Sequence, residues 1–108
     1  MFQDQVVVIT GGAGGIGKCI AEEFRKNGAQ VCIIDTAPGD HFVGDIGDQV
    51  VLEAFAQQVI DRFGRVNVLV NNAPPASIGL DTCSYAQFQQ ALSVGVTAPF
   101  YLSKLFAP

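Results

Sequence analysis

Charged residues are scarce in this sequence, and the basic ones form no cluster. Of 108 residues only 15% are charged and 49% are hydrophobic, and six Lys and Arg against ten Asp and Glu give a net charge of −4. A nucleic-acid surface needs a stripe of Lys and Arg that displaces phosphate counterions. A disordered chain is poor in apolar residues and rich in charge. The composition therefore predicts a folded protein that does not bind nucleic acid.

Long apolar runs and a basic N-terminal region are also lacking. The longest uncharged stretch, residues 82–103, is interrupted by polar residues and Pro, whereas a membrane span needs about 20 predominantly apolar residues. Met1–Asp4 carries no basic residue, so neither a secretory signal nor a membrane association is expected. Three widely spaced cysteines have no metal-ligand spacing: Cys19, Cys32 and Cys83. They predict reduced core thiols in a cytoplasmic protein without a metal site.

Short apolar runs alternate with amphipathic segments along the chain. Four runs predict β-strands, the third with the weakest pattern: Val6–Thr10, Val31–Asp35, His41–Asp45 and Val66–Val70. Apolar residues at helical spacing predict three helices, over residues 15–27, 48–63 and 84–106. Buried strands that alternate with helices are typical of a parallel α/β sheet with right-handed crossovers. We therefore expect one α/β domain over residues 1–108.

The ends and faces of the predicted helices are marked in the sequence. Asp48 is a plausible N-cap, and Ser84-Tyr85-Ala86-Gln87 is typical of a capping box. Pro99 lies within the third helix and should kink it. The apolar stripe of the first helix is Ile16, Cys19, Ile20 and Phe24. That of the third helix, which we expect to pack on the sheet, is Phe88, Leu92, Val96 and Phe100.

One connection is too short for the regular pattern. Only six residues separate Asp35 from Phe42, whereas a parallel crossover that contains a helix needs about a dozen. We expect a bare loop here and a sheet that lacks one covering helix. Strands such as Val6–Ile9 and Val66–Val70 should then leave apolar surface open, which usually marks a missing partner or self-association.

The glycine-rich segment Thr10–Gly17 follows the first strand and opens the first helix. Gly11 can turn the chain with a positive φ, Gly15 can bring backbone close to a ligand, and Gly17 lets the helix pack closely on the sheet. Amide N–H groups at the helix start favour a pyrophosphate. Asp35 follows Gly17 by 18 residues, and its carboxylate can accept the hydroxyls of an adenosine ribose and repel a 2′-phosphate. This order of elements predicts a dinucleotide site.

The same glycines leave a second interpretation open. Gly12–Gly17 followed by Lys18 matches the start of the phosphate-binding loop of nucleotide triphosphatases. That loop next needs Ser or Thr to hold Mg²⁺, and Cys19 follows here. Beyond Asp35, no later predicted strand ends in the Asp that the metal requires, so the sequence fits this alternative poorly.

Together, the motifs resemble the short-chain dehydrogenase/reductase family over nearly the whole chain. They occur in the family's order and approximate spacing: Thr10-Gly11-x-x-x-Gly15-Ile16-Gly17, Asp35, Asp45-Ile46 and Asn71-Asn72-Ala73. The resemblance implies a Rossmann-type doubly wound parallel sheet, here partial, with about four strands in the order 3-2-1-4. It also implies a nicotinamide dinucleotide as cofactor and hydride transfer to or from the carbonyl or alcohol carbon of an unknown small-molecule substrate.

The resemblance further implies which residues hold the cofactor. Asp35 would bind the adenine ribose. Asp45 and the backbone of Ile46 would border the adenine, and Asn72 with Ala73 would line the cofactor's ribose. The glycine loop adds Gly11, Ala13, Gly14, Gly15, Ile16 and Gly17. Family members that prefer NADP usually have basic residues in this loop or just after the second strand. This chain has Ala13, Gly14, Thr36 and Ala37 there, so NAD is expected over NADP.

Departures from the family pattern concern the catalytic part. Pro74 stands where the family usually has Gly, and Gly95 stands where it has a catalytic Asn. The family's catalytic Ser and Tyr-x-x-x-Lys pair would lie beyond residue 108, and Tyr101 and Lys104 are one residue too close together and on the wrong helix. We expect no catalytic residue in a truncated chain that supplies the cofactor-binding half and is inactive alone. A non-catalytic dinucleotide-binding module stays an alternative. Because the corresponding family helix often forms an interface, a homo-oligomer is expected.

Overall fold

Four parallel strands form one sheet with helices on both faces. The computed structural model describes residues 2–74, 79 and 81–107. The strands are β1 (Val6–Thr10), β2 (Gln30–Asp35), β3 (Phe42–Val43) and β4 (Val68–Asn71), in the order β3-β2-β1-β4. The helices are α1 (Gly15–Lys26), α2 (Gln49–Phe63), α3 (Tyr85–Leu92) and α4 (Ala98–Phe106), and a π-helical segment, Ser93–Thr97, joins α3 to α4. This arrangement confirms the predicted Rossmann-type sheet.

The central strand β1 is buried on both of its faces. Val6 and Val8 belong to a core that includes residues of α2 and α4, whereas Val7 and Ile9 belong to a core formed with α1. This division follows from the alternation of side chains along a strand. All five residues of β1 are buried. The prediction that β1 leaves apolar surface open is therefore wrong, because α1 on one face and α2 with α4 on the other suffice to cover it.

Helix α1 lies on the sheet through its smallest residues. Gly17 and Ala21, four positions apart, are its buried residues, while Ile20 and Phe24 flank them and are partly buried. Close approach of the helix to the sheet requires small residues at the contact. Ile16 is 75% exposed and Cys19 is also exposed. The predicted stripe is thus wrong at these two positions.

The three cysteines are free thiols, as predicted, but none of them lies in the core. Cys19 is exposed on the outer side of α1, and Cys32 and Cys83 are half-buried. The expectation of core thiols is wrong for Cys19 and for Cys83, which precedes α3 in a loop, whereas the partly buried Cys32 packs against the core.

The predicted helix-end signals of α2 and α3 are confirmed. The Asp48 carboxylate accepts a hydrogen bond from the Val50 N–H at 2.9 Å, and Gly64 ends α2 with φ of +79°. Ser84 and Gln87 form both hydrogen bonds of a capping box at the start of α3. Of the helices in the described ranges, none combines the length and the apolar character that a bilayer span requires.

The last helical stretch runs without a break from Tyr85 to Phe106, because the residues at the junctions of α3, the π-helical segment and α4 all have right-handed helical dihedral angles. Pro99 lies within this stretch, two residues after the π-helical segment. Pro has no N–H for the i→i−4 ladder, so a wider turn before it accommodates the missing bond. The expected stripe does not pack on the sheet: Phe88, Val96 and Phe100 are 56%, 62% and 64% exposed. Ala98 and Leu102 are buried against the sheet instead.

The connection between β2 and β3 is a loop without a helix, as predicted. Strand β3 has only two residues, which pair with Ile34 and Asp35. Within the described part of the chain, the stretch Gln30–Ile33 of β2 therefore has a strand partner only on its β1 side.

Candidate functional site

A cleft with a volume of about 720 Å³ opens at the carboxyl ends of the four strands, and we call it the sheet-end cleft. The predicted site residues line it with the single exception of Gly17: Gly11, Ala13, Gly14, Gly15, Ile16, Asp35, Asp45, Ile46, Asn72 and Ala73. Ile34, Thr36, Ala37, Gly44, Pro74 and Val94 complete the lining. The cleft extends across the boundary between β1 and β4, where the strand order reverses. Open α/β sheets bind their ligands at this position.

The glycine loop between β1 and α1 has the conformations that its sequence predicts. Gly11 and Gly15 adopt positive φ values of +70° and +56°. Gly14 is the N-cap of α1, and no side chain caps this helix. A Cβ built on Gly14 or Gly15 would meet no atom within 4 Å. The first N–H groups of α1 therefore lack a side-chain acceptor and border open space, which favours an anionic group.

Gly17 has a structural role beneath the cleft. A Cβ at this position would collide with the carbonyl oxygen of Gly11 and would lie 2.5 Å from the side-chain Nδ2 of Asn72. The glycine thus allows the first turn of α1 to lie directly against the ends of β1 and β4, as its spacing predicts.

Thr10 connects the two strand ends that form the floor of the cleft. Thr10 is only 1% exposed, and its Oγ1 accepts hydrogen bonds from the backbone N–H groups of Asn72 and Ala73, each at 3.1 Å. The Asn72 Nδ2 donates to the Gly11 carbonyl, also at 3.1 Å. Sequence reasoning quoted Thr10 within the motif but assigned it no role. The signal that was available is a single hydroxyl at the end of an otherwise apolar strand.

The Asp35 carboxylate faces the glycine loop. Its Oδ2 accepts a hydrogen bond from the Ala13 N–H at 3.0 Å, and its Oδ1 accepts one from the Ala37 N–H at 2.9 Å. Desolvation raises the pKa of this carboxyl, but the N–H groups of Ala37 and Ala13 and the nearby His41 ring outweigh it, and the net pKa is lowered. Asp35 is therefore ionised at neutral pH and lies in the cleft beside the loop.

Asp45 and Ile46 form the wall of the cleft after β3. Asp45 accepts hydrogen bonds from the Gly47 N–H at 2.8 Å and from the Gln90 Nε2 at 3.0 Å, so its turn is linked to α3. Ile46 is buried in the core. Val94, in the π-helical segment, also reaches the cleft. Sequence reasoning did not identify Gln90 or Val94, which approach from a helix distant in sequence.

The arrangement does not support the phosphate-binding loop of a nucleotide triphosphatase. Lys18 does not line the sheet-end cleft but lies in a different cavity, and Cys19 is exposed. In the ranges that the structure describes, no three His, Cys, Asp or Glu residues form a group that could hold a metal ion. The cleft thus lacks both the lysine and the hydroxyl that this alternative needs.

Comparisons with known proteins agree with the fold and the motifs. The family model described as short chain dehydrogenase matches residues 5–108. L-fucose dehydrogenase of Mus musculus is 33% identical over 122 aligned positions, which cover 99% of this chain and 44% of that protein. Since 122 positions exceed the 108 residues of this chain, this relative has residues within the matched region that the chain lacks.

Two solved structures have the same fold at comparable identity. A metagenomic short-chain oxidoreductase in complex with NADP is 30% identical with a TM-score of 0.91, and the match covers 99% of this chain and 56% of that one. The 3-ketoacyl-(acyl-carrier-protein) reductase from Brucella melitensis, complexed with NADH, is 25% identical with a TM-score of 0.89 over 100% and 51% of the two chains. The chain spans about half the length of the proteins that it matches. It belongs to the short-chain dehydrogenase family.

Proposed function

We propose that the sheet-end cleft binds NAD and that this chain is the cofactor-binding part of an oxidoreductase acting on a small alcohol or ketone. The bound cofactor supplies the hydride acceptor or donor. The observation that carries the proposal is the position of Asp35, whose carboxylate faces the glycine loop across the mouth of the cleft. A pyrophosphate at the start of α1 and a ribose at Asp35 are then adjacent, as a dinucleotide requires.

The other predicted residues fit the remaining parts of the cofactor. Asp45 and the backbone of Ile46 would border the adenine. Asn72 and Ala73 would line the second ribose, held in place by Thr10. A volume of about 720 Å³ is within the range of sites for ligands of this class.

The preference for NAD over NADP rests on charge. An ionised Asp35 would repel a 2′-phosphate on the same ribose, and among the described residues that line the cleft there is no Lys, Arg or His. Thr36 and Ala37, which follow Asp35, offer no cation. The metagenomic short-chain oxidoreductase was solved in complex with NADP, so the proposed preference rests on Asp35 and the residues after it and not on the fold.

Titration with NADH and NADPH tests the proposal. We expect NADH to bind at least about tenfold more tightly, because the 2′-phosphate would lie beside the ionised Asp35 carboxylate. Asp35→Asn should weaken NADH binding by about tenfold and remove the preference, since it removes the charge and keeps the shape. Asp61→Asn on the outer side of α2 changes the net charge equally and should alter neither affinity. Equal or tighter binding of NADPH by the unmodified chain would contradict the proposal, and binding of Mg·ATP would support the alternative with a phosphate-binding loop.

We further propose that these residues do not catalyse turnover alone. The Tyr101 hydroxyl is hydrogen-bonded to Glu53, which raises the pKa of Tyr101, and this tyrosine does not line the cleft. A proton-transferring tyrosine would need a lowered pKa beside the cofactor. The segment beside the cleft contains Gly95, which has no side chain for the family's catalytic Asn role, and this favours the alternative of a non-catalytic binding module. A coding frame that continues into a Ser and a Tyr-x-x-x-Lys would favour the enzyme.

Self-association is the third part of the proposal. Tyr85, Phe88, Val96 and Phe100 are all more than half exposed along α3, the π-helical segment and α4. Apolar residues in such a row usually mark an interface, and a second copy of this chain offers the same row by symmetry. Sedimentation velocity should detect a dimer. A cytoplasmic location also stays a prediction, in keeping with three free thiols.

A further inference from the structure

A second cavity, with a volume of about 440 Å³, lies beside the outer edge of β2, and we call it the β2-edge cavity. It shares only Ala13 with the sheet-end cleft among the described residues that line the two. It is open because the short β3 leaves Gln30–Ile33 without a described strand partner on the outer side. The six-residue connection from β2 to β3 contains no helix that would cover it.

The walls of this cavity are apolar. They come from both faces of the sheet edge and from α2: Val31, Ile33, Phe42, Phe55, Val59 and Phe63. The Phe42 and Phe55 rings meet edge to face, with their centroids 5.3 Å apart. Apolar walls of this kind bind the apolar part of a ligand, and a few polar groups at the rim fix its orientation.

Lys and Arg outnumber acids among the polar residues that line this cavity, which also include His41 and Gln58. Three of the six basic residues in the chain line this one cavity: Lys18 and Arg25 from α1, and Arg62 from α2. Asp40 is the one acid among the described lining residues. The Arg62 guanidinium lies 5.0 Å from the centroid of the Phe63 ring. In a protein with a net charge of −4, this concentration of positive charge marks the cavity as a place for an anion.

The sheet edge adds a backbone donor. The Gln30 N–H bonds to the Gln5 carbonyl on the β1 side, at 2.8 Å. Because the peptide groups of a strand point alternately to its two neighbours, the N–H of Val31 points to the open side. An anionic group in the cavity thus has cations and an amide donor within one site.

We propose that the β2-edge cavity is a second ligand site, specific for a small organic anion with an apolar body, such as an aromatic or branched aliphatic carboxylate, sulfonate or phosphate ester. The apolar body lies against the phenylalanine rings, and Lys18, Arg25 and Arg62, which line the same cavity, attract the anionic group. The site is distinct from the sheet-end cleft, so the proposal does not depend on the function assigned to that cleft.

A matched pair of probes and a matched pair of variants test it. Anilinonaphthalene sulfonate is an aromatic anion, and N-phenylnaphthylamine has the same body without the charge; both report binding by fluorescence. In the triple variant Lys18→Gln/Arg25→Gln/Arg62→Gln, we expect the sulfonate to bind at least about tenfold more weakly, with the neutral probe unchanged. The control is Lys26→Gln/Arg65→Gln/Lys104→Gln, which removes the other three basic residues and gives the same net charge. It should leave both affinities unchanged.

Thiol labelling of the unmodified chain locates the sulfonate without any variant. Cys32 lines the β2-edge cavity, whereas Cys19 is exposed on α1 outside it. Saturating sulfonate should slow maleimide labelling of Cys32 at least about fivefold and leave Cys19 unaffected, because a bound ligand would cover only the former. Saturating NADH should not displace the sulfonate.

Several results would overturn the proposal. One is equal weakening of sulfonate binding in the two triple variants, and another is Cys32 labelling that the sulfonate does not slow. Displacement by NADH would place the probe in the sheet-end cleft instead. An acidic extended peptide that protects Cys32 while the sulfonate does not would identify the occupant as an added strand rather than a small anion.

Discussion

Replacement of Gly17 by Ala should destabilise the protein more than the same change at another glycine of the loop. The added Cβ would collide with the Gly11 carbonyl oxygen and lie 2.9 Å from the Gly11 carbonyl carbon and 2.5 Å from the Asn72 amide nitrogen. Two of these three atoms are backbone atoms of Gly11, and the third, the Asn72 Nδ2, donates a hydrogen bond to the Gly11 carbonyl oxygen. Relief therefore requires α1 to move away from the sheet.

The magnitude follows from two opposing terms. A collision with backbone atoms lies at the upper end of the usual cost of overpacking, about 3 kcal/mol, and Gly→Ala within a helix returns about 1 kcal/mol. We expect the free energy of unfolding to fall by about 2 kcal/mol, which lowers Tm by about 10 °C in a domain of this size. Urea unfolding measures this change through the midpoint at a constant slope.

Gly14→Ala is the matched control. Gly14 has φ of −156°, an extended conformation open to any residue, and a Cβ there would meet no atom within 4 Å. Ala is less favourable than Gly at an N-cap, and this offsets the entropy gain of Gly→Ala, so the free energy of unfolding should change by less than about 0.5 kcal/mol. Equal stability of the two variants would refute the packing argument for the start of α1. A lower NADH affinity in Gly17→Ala alone would show that the same contact also positions the loop.

Four further outcomes are expected. Thr10→Val should lower the free energy of unfolding by about 2 kcal/mol, because it leaves two N–H groups without their acceptor; Thr10→Ser should restore most of it, as measured by urea unfolding. The hydrogen bonds to Asp35 lower its pKa in the folded protein below its value in the unfolded chain, which is near 3.8. They stabilise the fold fully at pH values above 3.8, and this stabilisation is lost as the pH falls through the pKa of Asp35 in the folded protein. The free energy of unfolding should therefore fall less on acidification in Asp35→Asn than in the unmodified chain. The same dependence on pH in both proteins would contradict this. Ser84→Ala should cost about 1 kcal/mol by removing the capping box, measurable by thermal unfolding. Phe100→Ser should weaken the dimer in sedimentation velocity and leave Tm unchanged at protein concentrations low enough for both variants to be monomeric, because the ring is exposed in a single copy.

The sequence predicted the sheet and most of the cleft for an identifiable reason. Alternation of apolar strands with amphipathic helices reports burial on both faces of a sheet, and parallel strands place their carboxyl ends together. The sequence alone therefore assigned the glycine loop, Asp35 and the residues after β4 to the same edge of the sheet.

What the sequence did not reveal depends on contacts between distant residues. The Thr10 hydroxyl bonds to N–H groups 62 and 63 positions away, and no local pattern encodes that pairing. The sequence pattern predicted that the large apolar residues of the last helix face the sheet. In the structure, α4 buries Ala98 and Leu102 and exposes Phe100. A small residue such as Ala98 lets the helix approach the sheet closely, but a hydrophobic pattern gives alanine less weight than phenylalanine.

The Thr10 hydroxyl has a mechanical consequence. It ties the segment after β4 to the end of β1, so the base of the cleft cannot widen unless both of its hydrogen bonds break. Any movement that admits a long, bent molecule must come from the upper walls, such as the turn at Asp45, whose links to Gly47 and Gln90 are exposed to water. We therefore expect a ligand to enter by displacement of the turn at Asp45, so its association rate should depend on how readily this turn moves and not on the sheet.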